Sequence, residues 1–265
     1  MRILAAAAFA AFALAATARA QDSDRWDARL TAVTGDVVVH PAGGGDEVSG
    51  EAGLPLEEGD RVTTADGSTA EIALDGDSLM TLGADSDFTL EDTRKSASIF
   101  SLTLGSLLAK IRKLGSQSLS VRSPTAVAAV RGTEFGVDVQ GDQSSVGVFD
   151  EGRVEVRGRA GGTTILTPNQ ETSIERGRAP ERAGPLRRFA GRRAAMRARV
   201  RRLALVRRNW RRMAASQRRA ARASSLRRLR RGRLKRLQRR PIPRRAPVNR
   251  GRRAQPRRER ARNDP

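Results

Sequence analysis

The residue types that most often catalyse reactions in proteins are scarce in this sequence. Its 265 residues include a single histidine, His40, and no cysteine. A serine–histidine–carboxylate triad would have to use His40, and no nucleophile-elbow motif accompanies it. The lack of cysteine excludes a disulfide framework, a thiolate metal site and a cysteine nucleophile. We therefore expect a protein that is not an enzyme and that binds no cofactor.

Acidic pairs and a run of glycines also fall short of known ligand motifs. Asp75 with Asp77, and Asp85 with Asp87, lie in turn sequences, but the calcium-loop pattern of an EF-hand is absent. The three glycines at 43–45 lack the following Lys-Ser/Thr that a phosphate-binding loop requires. We expect solvated turn residues at these positions and no metal site.

Arginine supplies the remaining chemistry, and it is concentrated at one end of the chain. Residues 21–180 carry 15 Lys+Arg and 26 Asp+Glu, whereas residues 181–265 carry 34 Lys+Arg and 3 Asp+Glu. The net charges of the two parts are therefore −11 and +31. This asymmetry indicates an anionic partner, or two parts of the chain that attract each other. An arginine bias also fits a GC-rich genome, in which case the segment has no dedicated partner.

The basic segment 181–240 predicts an amphipathic helix. Residues 186–240 lack proline and are rich in alanine, arginine and leucine, which all favour helix. Apolar residues recur at helical spacing and would form a narrow stripe that faces a membrane. This predicted membrane-facing stripe consists of Phe189, Met196, Leu203 and Trp210. The prolines of 241–265 predict a disordered basic tail.

Twelve arginines of this segment form the predicted polyanion-binding surface. They are Arg187, Arg188, Arg192, Arg193, Arg201, Arg202, Arg207, Arg208, Arg211, Arg212, Arg218 and Arg219. The expected partners are anionic lipid headgroups, lipopolysaccharide phosphates or an acidic protein surface, which includes the −11 part of the same chain. Nucleic acid needs only charge and is a less favoured partner. Gly191, Ser224-Ser225 and Gly232 are the predicted weak points of the helix.

Residues 1–20 have the pattern of a secretory signal peptide. Arg2 gives a positive start, 3–16 is an uncharged apolar run, and Ala18-Arg19-Ala20 gives a small-x-small cleavage site. The run is shorter than the roughly 20 residues of a membrane-spanning helix, and an uncleaved anchor is the alternative. We expect an exported, periplasmic protein that is soluble or peripheral to a membrane.

The region 25–178 predicts a β-rich domain. Strand-like runs with alternating apolar residues are separated by Gly-Asp and Asp-Gly turns. Many short strands at this spacing imply an all-β sandwich, barrel or solenoid. The run 30–39 predicts one strand. The segment 98–112 predicts either a short helix or two strands joined at Gly105-Ser106.

The sequence SPTAVAAVRGTEFGVDV, at 123–139, resembles the signature of the FecR family. Flanking segments resemble the same family at 59–64 (GDRVTT) and 149–156 (FDEGRVEV). The segment 166–171 (LTPNQE) resembles its closing strand, with Asn169 where glycine is usual. The signature positions are Pro124, Thr125, Val130, Arg131, Gly132, Thr133, Glu134 and Phe135.

The resemblance implies a twisted, solenoid-like β-sandwich in the periplasm. The best-known members are sensors that pass a signal from an outer-membrane siderophore transporter to a cytoplasmic sigma factor. Those members begin with a cytoplasmic helical segment and a membrane helix, whereas this sequence begins with a signal-peptide pattern. We therefore expect a non-enzymatic binding or scaffold module with an unknown ligand, and envelope signalling is the alternative.

Within the signature, Arg131 and Glu134 flank Gly132. One interpretation is a recognition site at the tip of a loop. The favoured interpretation is structural: Arg131 and Glu134 form an ion pair that fixes a β-turn, Gly132 supplies an unusual φ, and Phe135 fills the core.

Overall fold

The computed structural model describes residues 24–112 and 118–238, which form 17 β-strands and two α-helices. The predicted signal peptide and the predicted tail at 241–265 lie outside the described residues. The first eight strands are β1 (Ala28–Thr34), β2 (Val37–His40), β3 (Val48–Ser49), β4 (Pro55–Leu56), β5 (Arg61–Thr64), β6 (Thr69–Leu74), β7 (Ser78–Leu82) and β8 (Asp87–Asp92). The remaining nine are β9 (Ser98–Lys110), β10 (Leu119–Arg122), β11 (Ala126–Val130), β12 (Glu134–Gln140), β13 (Gln143–Val148), β14 (Val154–Gly158), β15 (Thr163–Leu166), β16 (Gln170–Glu175) and β17 (Gly184–Pro185). The helices are α1 (Arg193–Asn209) and α2 (Ala215–Gln238).

The strands form two layers that share β9. The covered layer has the order β4-β1-β6-β7-β9-β12-β13-β16-β17, and the open layer has the order β3-β2-β5-β8-β9-β10-β11-β14-β15. Neighbours are antiparallel except β9 and β10, which are parallel. The chain moves back and forth between the layers as it advances along them. The predicted solenoid-like β-sandwich is therefore confirmed.

Strand β9 resolves the ambiguous segment as one continuous strand of 13 residues, so the helical alternative is wrong. Ser98 to Leu104 pair with β8 and β10 in the open layer, and Gly105 to Lys110 pair with β7 and β12 in the covered layer. The strand changes layer at Gly105, where φ is +85°. A Cβ there would lie 2.5 Å from the Cα of Ser86, so glycine is required.

The predicted single strand at 30–39 is in fact two strands in different layers. Gly35, with φ of +73°, turns the chain between β1 in the covered layer and β2 in the open layer. A Cβ on Gly35 would lie 2.4 Å from the Ser68 hydroxyl oxygen, and this hydroxyl accepts a 2.8 Å hydrogen bond from the Asp36 amide. The alternating apolar pattern continues through the turn, which is why the sequence suggested one strand.

Aliphatic side chains fill the space between the layers, with three phenylalanines among them. Phe88 and Phe100 have ring centroids 5.7 Å apart, and Phe135 is also fully buried. In the open layer, burial alternates along β10 and β11, as expected for a sheet with one solvated face. In the covered layer, all five residues of β7 and the first six of β12 are buried. Both faces of this layer are therefore covered.

The predicted helical segment is confirmed from Arg193 onward, although its break lies elsewhere than expected. Helix α2 continues through Ser224-Ser225. The chain instead leaves helical geometry at Trp210, whose ψ is 127°. The Met213 amide donates to Asp27 at 3.2 Å, so contacts with the β domain replace helical hydrogen bonds at this point.

Phe189, just before α1, attaches the helical segment to the covered layer. Its side chain is fully buried against Gly136 and Gly147, which face each other across β12 and β13. Phe149 contacts it edge to face, with centroids 6.3 Å apart. Glycine inside a strand often marks a close approach of another group, and these two glycines make the recess that holds the ring.

Replacing Gly147 by alanine should loosen this attachment. The new Cβ would lie 2.6 Å from Cδ2 of Phe189 and 2.8 Å from Cδ1 of Leu186, so both side chains must move. Such overpacking costs about 1–3 kcal/mol. We expect a lower urea midpoint and faster tryptic cleavage within 193–238. Gly184→Ala is the control, because its Cβ meets no atom within 4 Å. Equal behaviour of the two variants would contradict this role of Phe189.

Candidate anion-binding surfaces

The arginine-rich segment lies against the acidic β domain. Among the described residues, nine of its arginines have a side-chain nitrogen within 4.0 Å of a carboxylate oxygen of the domain. These arginines are Arg192, Arg193, Arg197, Arg202, Arg207, Arg212, Arg222, Arg228 and Arg230. Their partners are Asp138, Asp150, Glu71, Asp77, Asp75, Glu57, Asp60, Glu51 and Asp46. Acidic residues of the domain thus form ion pairs with the arginine-rich segment.

The most buried of these pairs joins Arg222 of α2 to Asp60. The Asp60 side chain has no exposed surface, and 9% of the Arg222 side chain is exposed. The guanidinium donates to both carboxylate oxygens, at 2.5 and 2.7 Å, and to the Pro55 carbonyl at 2.8 Å. The amides of Ala42 and Glu57 also donate to Asp60. This buried carboxylate therefore depends on α2 for its closest positive charge.

The predicted membrane-facing stripe lies against the β domain. Phe189 and Met196 are buried, so the predicted membrane-facing role does not hold for them. Leu203 is half-buried. Trp210 rests on Gly76, and the Arg29 guanidinium lies 4.2 Å from the centroid of its ring. The apolar face of this helix serves to dock the segment on its own chain.

The structure divides the twelve predicted polyanion-binding arginines into two groups. Five of them pair with acids of the domain: Arg192, Arg193, Arg202, Arg207 and Arg212. The side chains of two more donate to oxygens of Gln143 and Met213, respectively: Arg188 and Arg218. The remaining five are exposed and make no ion pair with any described residue: Arg187, Arg201, Arg208, Arg211 and Arg219.

Two exposed arginines that the sequence prediction left out, Arg227 and Arg231, also make no ion pair within the described part of the chain. We call the seven arginines the outer arginine set: Arg187, Arg201, Arg208, Arg211, Arg219, Arg227 and Arg231. The signal that could have found the last two is their spacing of four residues, which places them on one side of a helix.

Arg199 of α1 belongs neither to the arginines that pair with the domain nor to the outer arginine set, because its side chain is half-buried. Burial lowers the pKa of the Arg199 guanidinium, and the nearby charge of Arg192 lowers it further. The charge of Glu71 opposes these effects. The Nε atom of Arg202 lies 3.0 Å from the same Glu71 carboxylate. Two arginines of α1 thus share one acid of the covered layer.

The signature residues have mainly structural surroundings, but the predicted ion pair is wrong. Glu134 pairs with Lys110 at 3.0 Å, and Arg131 is exposed with no side-chain partner among the described residues. Gly132 does have a positive φ, of 61°, and Phe135 does fill the core. Buried Thr133 donates its hydroxyl to the Arg153 carbonyl at 3.2 Å, which fixes the loop.

Three other signature positions surround the β10–β11 turn or lie in β11. Val130 is buried in the core, Thr125 is buried in the turn, and Pro124 lies beside it half-buried. Ser123 closes the turn, because its hydroxyl accepts a 3.0 Å hydrogen bond from the Ala126 amide. The signature therefore leaves Arg131 as its one exposed cationic side chain.

Arg131 lines a cavity of about 810 Å³ between the β domain and α1, which we call the cationic cleft. The lining residues from the domain are Asp77, Lys110, Ile111, Arg112, Arg131, Gly132, Glu151, Gly152 and Arg153. Helix α1 contributes Val200, Leu203, Ala204, Arg207 and Arg208. The cleft brings the signature loop and the basic segment together, which sequence analysis did not anticipate.

The described residues show no cluster of side chains for metal binding. They contain no group of three or more His, Cys, Asp or Glu side chains that could hold a metal ion. His40, at the end of β2, is half-buried between Thr63 and Glu47, at 3.1 and 3.2 Å. Neither helix, over the part of the chain that is described, has the length and apolar character to cross a membrane.

Residues 60–155 match the family model described as FecR protein. The expected resemblance to the FecR family is therefore confirmed over these residues. The matched segment begins at Asp60, includes the layer change in β9 and the signature loop, and ends in β14. It contains both the buried partner of Arg222 and the domain side of the cationic cleft.

Solved structures similar to this chain include two crystal structures, at 1.65 and 2.50 Å resolution, of a "putative anti-sigma factor" from Parabacteroides distasonis ATCC 8503. In each comparison the identity is 16% and the TM-score 0.42, over 47% of this chain. The chain spans 59% of the length of those proteins. No curated protein matches the chain in sequence.

Replacing Arg222 by methionine should destabilise the protein strongly. The methionine side chain keeps much of the volume of arginine but leaves the Asp60 carboxylate buried without its counter-charge. The loss of one partner of a buried ion pair typically lowers the free energy of unfolding by about 3–5 kcal/mol. We expect a large loss in the free energy of unfolding measured in urea. Arg228→Met is the control, because Arg228 and Glu51 are both exposed and such pairs contribute about 0–1 kcal/mol. A loss no larger than that of the control would show that the buried pair is not needed.

Proposed function

We propose that this chain is an exported, non-enzymatic FecR-type binding module whose outer arginine set binds an anionic surface of the cell envelope. The surface would present phosphate groups, from phospholipid headgroups or lipopolysaccharide. Export rests on the signal-peptide pattern of residues 1–20. The proposal that the chain is not an enzyme is supported by the FecR match, since this family is not known for enzymatic activity.

The observation that carries the proposal is the division of the arginines by their partners. Arg192, Arg202 and Arg222 pair with carboxylates of the domain, whereas the seven of the outer arginine set are exposed and make no ion pair among the described residues. An arginine near an anionic membrane contributes about 1 kcal/mol, and the attraction fades within about 8 Å at physiological salt. Several together give strong binding that depends on salt.

The acids of the β domain also support an envelope surface as the partner of the outer arginine set. An acidic partner protein was one expected ligand of the arginines, and the chain's own acids already occupy that role on the inner side. Docking also presents the outer arginines on a fixed scaffold, so less conformational entropy is lost when they bind. The envelope surface remains as the partner for the outer set.

Envelope signalling is the second candidate function, and the FecR domain favours it. In that case the module would pass on the state of a partner in the envelope, and the outer arginine set would hold it near that partner. Nucleic acid is a third candidate partner for the same arginines, because recognition of phosphate by charge does not distinguish nucleic acid from an anionic envelope surface.

The envelope proposal is tested with vesicles and the full chain from residue 21. We expect binding to phosphatidylglycerol vesicles at low salt, loss of binding as salt rises, and none to phosphatidylcholine vesicles. Changing Arg201, Arg211, Arg219 and Arg227 to glutamine should weaken binding at least tenfold, since each contributes about 1 kcal/mol. Co-sedimentation measures the bound fraction.

The matched control changes four exposed arginines of the β domain to glutamine: Arg94, Arg157, Arg176 and Arg178. Both variants lose the same net charge. Equal weakening in the two would show that only total charge matters and would contradict a dedicated surface. Binding to a DNA duplex without binding to vesicles would favour the nucleic-acid alternative.

A further inference from the structure

We propose that the cationic cleft binds a small amphiphilic anion, a molecule with one anionic headgroup and a short aliphatic portion. This site lies between α1 and the β domain and shares only Arg208 with the outer arginine set. Its volume of about 810 Å³ lies within the range of about 300–1,000 Å³ typical of small-molecule sites.

The charges of the cleft indicate an anionic headgroup. The lining contains six cationic side chains and two acidic ones, Asp77 and Glu151. Both acids are already engaged: Asp77 lies 3.2 Å from Arg112 and from Arg207, and Glu151 contacts Lys110. The three other cations are left without a counter-charge among the described residues: Arg131, Arg153 and Arg208.

The loops that carry two of these arginines are held together before any ligand binds. The Arg131 amide donates to the Arg153 carbonyl at 3.4 Å, and the Thr133 hydroxyl contacts the same carbonyl. Gly152, with φ of 100°, permits this approach, since a Cβ there would lie 2.6 Å from the Cα of Thr133. A fixed backbone reduces the entropy lost when the arginines bind an anion.

Helix α1 supplies both an apolar wall and a third arginine from one face. Leu203 and Ala204 follow Val200 by three and four residues, and Arg208 follows Ala204 by four, so they lie on one side of the helix. Val200 is 36% exposed, and Ile111 of the domain is buried beside the cleft. The apolar wall favours a ligand with an aliphatic portion over a bare phosphate ion.

Calorimetric titration of the full chain from residue 21 tests the proposal, with octyl phosphate below its critical micelle concentration as the probe. We expect saturable binding of one octyl phosphate per chain. Inorganic phosphate has the charge without the chain, and octyl glucoside has the chain without the charge. Both should bind at least about tenfold more weakly, because each lacks one of the two recognised parts.

Two variants locate the site. Changing Arg131 and Arg153 together to glutamine should weaken octyl phosphate binding at least about tenfold, and both residues are exposed, so the fold should be kept. Changing Arg176 and Arg178 removes the same charge elsewhere and should leave binding unchanged. Circular dichroism melts confirm that both variants are folded.

Several outcomes would overturn the proposal. These are no saturable binding of octyl phosphate, equal binding of inorganic phosphate or octyl glucoside, or equal weakening by the two double variants. Vesicle binding separates this proposal from the envelope proposal. The Arg131/Arg153 variant should still bind phosphatidylglycerol vesicles if the cleft and the outer arginine set are separate sites.

Discussion

A guanidinium group from the last helix lies beside a carboxylate that the β-sandwich buries completely. Without this guanidinium, the Asp60 carboxylate would accept hydrogen bonds from only two backbone amides, because no basic side chain of the domain hydrogen-bonds to it among the described residues. This pair sets the position of α2, and the pairs of Arg192 and Arg202 with Asp138 and Glu71 set that of α1. Which arginines face inward, and which remain for an external partner, follows from these buried contacts. The opposite charges of the domain and the helical segment therefore serve first to hold the two parts of the chain together.

The covered layer accommodates α1 because its outer face carries small and acidic residues. Gly136 and Gly147 leave room for the Phe189 ring, and Asp138 lies two residues further along the same strand. Apolar contact and charge thus act on the same surface. The open layer keeps, in β10 and β11, the alternation of a sheet that faces solvent on one side. Helix α2 instead contacts β3 of the open layer and β4 of the covered layer.

The sequence predicted the β-rich domain well because turn glycines and period-two patterns are local signals. It also located the FecR signature, and Asn169 in place of glycine is explained by its φ of 66°, which asparagine tolerates. The wrong predictions concern which residues contact each other across the fold. An apolar stripe on a helix has the same pattern whether it faces a membrane or a sheet, so Phe189 and Met196 were misplaced. Arg131 and Glu134 are close in sequence, but Lys110 from the neighbouring strand reaches Glu134 instead. Only the paired glycines in β12 and β13 signalled that another group would cover them.

The Phe189 recess lies at the start of the helical segment, and the ion pairs follow along the rest of it. Dissolved salt weakens contacts between exposed charges and leaves a buried ring in place. Rising ionic strength should thus weaken the exposed pairs, such as Arg228 with Glu51, while the Phe189 ring and the buried Arg222–Asp60 pair keep both helices attached. The segment is therefore held at two points that salt screens little, one before α1 and one within α2.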